Sequence, residues 1–141
     1  MTNSLNDYSY DDIFIGQKES FMIKITESMV QTFGNFSGDL NPLHMDTKFA
    51  ESSSFKKRIV HGMLLSTFFS QLVGMYLPGK NALYFSQTLN FRSPCYIDDE
   101  IEVVGEVTEK SDSTKMITVT TSIFNKSKIC LIDGVAKIIV R

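Results

Sequence analysis

Two hydrophobic periods divide the chain. From residue 82 onward apolar and polar positions alternate, which predicts four long strands at 82–92, 99–109, 115–125 and 128–140. In the second of these Glu100, Glu102 and Glu106 take one face while Ile101, Val103 and Val107 take the other. Ser111-Asp112-Ser113-Thr114 and Asn125-Lys126-Ser127-Lys128 are polar tips suited to hairpin turns. Consecutive hairpins make an antiparallel sheet, one face of which must be buried.

Before residue 82 the spacing is mostly helical, after one strand at 19–25. Thr26 is a good N-cap for a helix reaching Phe36, with Met29, Val30, Phe33 and Phe36 on one stripe. Gly38 ends that helix, Asn41-Pro42 marks a turn, 46–51 forms a short helix and 52–58 a polar, basic surface loop. Residues 62–77 are apolar on nearly every side, the pattern of a helix enclosed all round, and Pro78-Gly79 stops it. The expected fold is α+β, an antiparallel sheet wrapped around one long central helix. It forms a single domain over 1–141, with about the first ten residues, which are polar, disordered.

Composition narrows the function. With 43% apolar and 21% charged residues the chain can bury a core of its own, and a net charge of −2 argues against broad binding to nucleic acid or to an anionic membrane. The longest apolar run, 63–77, is too short to span a bilayer and is interrupted by Ser66, Thr67, Ser70 and Gln71. Cys95 and Cys130 have no Cys-x-x-Cys spacing and read as free thiols of a reducing, cytoplasmic compartment. Two histidines seventeen apart and two lone cysteines make no recognised zinc set, and no Gly-rich phosphate loop is present, so neither metal nor cofactor is expected.

The candidate chemistry lies in Asp39-Leu40-Asn41-Pro42-Leu43-His44, followed by His61-Gly62-Met63-Leu64 at a helix start. The bend turns a carboxylate and an imidazole back on each other, a pair able to orient and deprotonate one water. A helix N-terminus offers unpaired N–H groups and a favourable dipole for negative charge, and glycine at 62 leaves the backbone open to approach. Each residue also has a plainer reading. Asp39 can cap a turn, His44 can be a satisfied half-buried histidine, and Ser70 can bond the carbonyl one turn back. His61 reads more readily as structural than catalytic. Lys56, Lys57 and Arg58, the one compact basic cluster, are either a solvated loop or a phosphate contact.

These residues resemble the MaoC-type hot dog family, specifically its single-domain (R)-specific enoyl-CoA hydratases. The resemblance is carried by 33–46, by Ile59-Val60-His61-Gly62-Met63-Leu64, and by Leu77-Pro78-Gly79 and Leu89-Asn90-Phe91-Arg92-Ser93-Pro94, and it covers about 20–140. It implies Asp39 and His44 as the catalytic pair, Ser70 as the residue orienting the aspartate, and the Gly62 N–H as oxyanion donor. It also implies reversible hydration of trans-2-enoyl-CoA to (R)-3-hydroxyacyl-CoA, or dehydration on an acyl carrier protein, in fatty acid metabolism or polyester synthesis. The thioester is then a substrate, not a cofactor, and lies between the subunits of a homodimer. Met63, Leu64 and Phe85 are candidates for the acyl end of the tunnel, and the basic cluster for the coenzyme's phosphates. A hot dog acyl-CoA thioesterase and a non-catalytic acyl-thioester-binding subunit remain the alternatives.

Overall fold

The computed structural model describes residues 4–141. Its sheet contains β1 (Lys18–Lys24), β2 (Ala82–Gln87), β3 (Asn90–Phe91), β4 (Glu100–Ser111), β5 (Met116–Asn125) and β6 (Cys130–Val140). The strand order is β1-β4-β5-β6-β2, with β3 also on β6 and every pairing antiparallel. The register places Phe21, Val103, Ile123, Ile132 and Phe91 in one row across the sheet. The predicted strand 82–92 is two strands, because the chain leaves the ladder at Thr88. There the Thr88 carbonyl occupies the space a side chain at Gly134 would need, and the Val135 N–H donates to the Thr88 hydroxyl at 2.9 Å.

On the concave face lies α4 (Gly62–Gln71), continued by a wider π-helical turn at Leu72–Tyr76. Leu64, Leu65, Phe69 and Leu72 are buried in one cluster with Ile101, Val103, Ile123 and Leu131. Gly105 allows the close approach, since a Cβ there would stand 2.9 Å from the Leu72 side chain. The helix is not enclosed on every side, as its apolar composition suggested. Met63 is 56% exposed, and Thr67 and Ser70 are exposed with it. This open face adjoins the outer strand β2, whose Leu83 and Phe85 also stand in solvent.

The connecting helices follow their caps. Thr26 accepts from the Met29 N–H to start α1 (Glu27–Ser37), and Gly38 ends it in a left-handed conformation at φ 79°. Asn41 caps α2 (Pro42–Met45), and Asp46 caps α3 (Thr47–Ser52). Of the predicted α1 stripe, Val30 is buried while Phe36 is 90% exposed. The expectation of a disordered N-terminus does not hold from residue 4 onward. Asn6 exchanges backbone hydrogen bonds with Met75 and Lys80, Asp7 bridges Gly79, and the Lys110 ammonium donates to the Tyr10 and Ile13 carbonyls. The remainder of that expectation, residues 1–3, lies outside the described residues. Among the described residues no helix is long and apolar enough to cross a membrane.

Candidate active site

Local hydrogen bonds shape the bend between α1 and α2. The Asp39 N–H donates to the Ser37 hydroxyl at 3.1 Å, and the Asp39 carboxylate accepts from the Asn41 N–H at 3.2 Å. Asn41 then accepts from the Leu43 N–H at 3.0 Å, and Pro42 supplies a preset first helical residue. One turn later His44 projects from α2, its Nδ1–H donating to the Ile59 carbonyl at 2.8 Å. A carbonyl only accepts, so in the neutral ring Nε2 keeps its lone pair and can take a proton.

A carboxylate oxygen of Asp39 and one ring nitrogen each of His44 and His61 lie within 4.8 Å of one another. One water making two ordinary hydrogen bonds of about 2.8 Å can span such a gap. Asp39 is exposed, His44 half-buried and His61 buried at 1% exposure, so the cluster runs from solvent into the core. Burial holds the His61 imidazole below its ordinary pKa. The charges of His44 and Arg58 push the same way, against the pull of the Asp39 carbonyl and carboxylate.

His61 is also the N-cap of α4, but its side chain makes no capping bond. The first N–H groups of the helix therefore have no side-chain acceptor. Gly62 and His44 line one cavity of about 330 Å³, walled by Phe55, Val60, Leu65, Phe91 and Leu131. Cys95 closes its inner wall, where burial pushes the thiol to about 12 and removes it as a nucleophile at neutral pH.

Glycine at 62 also has a packing reason that the sequence does not show. A Cβ there would come within 2.5 Å of the Phe91 ring, so the missing side chain makes room for Phe91 over the helix start. Gly62→Ala should cost about 1–3 kcal/mol of stability, the usual range for overpacking. Adding Phe91→Ala should recover most of that loss in thermal unfolding, and a double variant no more stable than Gly62→Ala would show that Phe91 is not the obstacle.

Other expected site residues are dispersed. Ser70 lies eight residues beyond Gly62, roughly 12 Å along the helix, in a groove with Ser66, Thr67, Tyr84 and Gln87. Among the described residues of one chain Ser70 makes no hydrogen bond to the Asp39 carboxylate, which accepts from the Asn41 N–H. The carbonyl bond one turn back belongs instead to Ser66, which donates to Gly62. Met63 shares the Ser70 groove, Leu64 faces a second groove with Met29, Phe33, Phe36 and Phe68, and Phe85 is 65% exposed on β2. The three do not form one tunnel end in the single chain.

The basic cluster is likewise split. Arg58 turns inward, donating to the His44 carbonyl and to Glu27 at 2.9 Å, and holds the Glu27 carboxyl below the usual range. The Lys57 ammonium sits 4.7 Å over the Tyr96 ring, while Lys56 is exposed with a φ of 67°. Phe55, Phe91 and Arg92 were not expected in the cavity wall, although the motif segments contain the last two. Only the pairing of β3 with β6 brings the last two there.

A sequence model of the MaoC like domain matches residues 14–128. The chain belongs to the MaoC-like family. An (R)-specific enoyl-CoA hydratase of Aeromonas caviae is 38% identical over 128 residues, covering 91% of this MaoC-like chain and 96% of that protein. One from Rhodospirillum rubrum is 36% identical, covering 93% and 90%. The solved unliganded R-hydratase of Pseudomonas aeruginosa superposes with a TM-score of 0.92 at 34% identity, over 96% of this chain and 87% of that one. The hot dog architecture expected from the sequence is the one observed.

Proposed function

We propose that this MaoC-like chain hydrates trans-2-enoyl-CoA to (R)-3-hydroxyacyl-CoA, and catalyses the reverse dehydration. The observation that supports this most is the Asp39 carboxylate and the His44 imidazole meeting within 4.8 Å beside an uncapped helix start. The pair takes a proton from one water, whose oxygen bonds to C3, and returns a proton to C2. Charge passing through the thioester oxygen meets the Gly62 N–H, which lines the same cavity as His44. Lyase chemistry needs no redox partner here, because water and the conjugated thioester supply every atom of the product.

The substrate is held as a thioester of coenzyme A, with an acyl carrier protein as the other carrier of the same group. Lys56 and Lys57 remain candidates for the coenzyme's phosphates, whereas Arg58 is engaged with Glu27 and the His44 carbonyl. The working form is a homodimer. In support, Met63 on α4 and Tyr84 and Leu89 beside it line a mostly apolar groove left open in one chain.

Crotonyl-CoA tests the reading. The purified protein is expected to remove the conjugated enoyl absorbance without releasing free thiol, and to give the (R) enantiomer on chiral separation. Thiol release would replace this reading by a thioesterase. Neither change would leave a non-catalytic binding subunit.

A further inference from the structure

His61 is a polar residue in a place where packing alone would be served by an apolar one. It is 1% exposed and makes no helix cap. Its Nε2–H donates to the Asp39 carbonyl at 2.9 Å, while its Nδ1 is buried without a partner. Its ring lies 4.1 Å from the His44 ring, tilted 32°, and Phe33 packs edge-on against it at 4.9 Å. One buried side chain thus touches the backbone of the acid and the face of the imidazole.

We propose that His61 is a positioning residue, its Nε2–H fixing the backbone beneath the Asp39 carboxylate while its ring packs beside the His44 imidazole. The inference rests on the acid–base reading of Asp39 and His44. A leucine or phenylalanine would fill the same volume but leave the Asp39 carbonyl without its donor, freeing a bend otherwise held by hydrogen bonds within 37–43. The titratable and charged groups facing His61 are His44, Asp39 and Arg58. Burial keeps the ring neutral, so Nε2 stays the protonated nitrogen and Nδ1 the lone pair. A neutral ring also adds no second positive charge beside His44 when that imidazole takes a proton.

The test compares His61→Gln, whose amide keeps an N–H donor, with His61→Phe, which keeps a ring and loses the donor. With crotonyl-CoA, His61→Phe should lower kcat about tenfold or more at nearly unchanged KM, as expected when a reacting pair is displaced but not removed. His61→Gln should stay within about threefold of the parent. Parental kcat in His61→Phe, or an equal fall in both variants, would overturn the proposal. Nitrogen NMR of the unaltered protein gives a reading that needs neither variant folding nor turnover. The Nε2–H tautomer of His61 should be the one present at neutral pH, and an Nδ1–H tautomer would overturn the assignment. A parent protein inactive on crotonyl-CoA but with the expected His61 tautomer would remove the proposed reaction and leave the His61–Asp39 contact standing.

Discussion

Asp39→Asn is expected to lower kcat for crotonyl-CoA hydration by about 10²–10⁴-fold, the range for losing a positioned acid–base group. The substitution isolates charge from shape. The side-chain carbonyl of asparagine can still accept from the Asn41 N–H, so the bend keeps the hydrogen bond that the carboxylate makes now at 3.2 Å. Its carbonyl partner His61 is untouched, because that contact is to the backbone of residue 39. The side chain is exposed, so stability should change by no more than about 0.5 kcal/mol. KM should move little, since the carboxylate acts on water and not on the thioester. A variant with an unchanged melting curve and more than about a tenth of parental kcat would remove Asp39 from the proton transfer.

Much of this geometry was legible in the chain because it is local. Thr26 and Gly38 act on backbone groups within four residues and Asn41-Pro42 is an equally local turn signal, so the sequence predicted the bend that brings Asp39 and His44 together. The alternation of Ile101, Val103 and Val107 with the glutamates of β4 likewise marked the buried face. What was not legible depends on partners distant in sequence. Arg58 reads as part of a basic loop, yet Glu27, 31 positions earlier, draws it inward. Phe91 enters the site only through its ladder with Ile132, and its ring fills the space a side chain at Gly62 would need. Ser70 shows the opposite limit. Residue type and a matching motif suggested a role, but the rise of the helix carries it about two turns beyond Gly62, into a groove with Tyr84 and Gln87.

His44→Ala is the sharper test of whether acid and imidazole serve one water. Removing the ring abolishes the Nε2 lone pair, the bond from Nδ1–H to the Ile59 carbonyl and the stack on His61. The Ile59 carbonyl then needs a new donor, so a loss of about 1 kcal/mol in stability is expected beside the kinetic effect. The fall in kcat should match that of Asp39→Asn, about 10²–10⁴-fold. Their combination decides the mechanism. Two groups that each handled a separate proton with separate waters would give losses that multiply in the double variant. Two groups that grip the same water should not, because either single change already leaves that water unheld, and the second removes little more. The double variant is therefore expected to retain close to the activity of the weaker single variant. Losses that multiply in full would mean that Asp39 and His44 act independently, and that the 4.8 Å cluster does not share a reacting water.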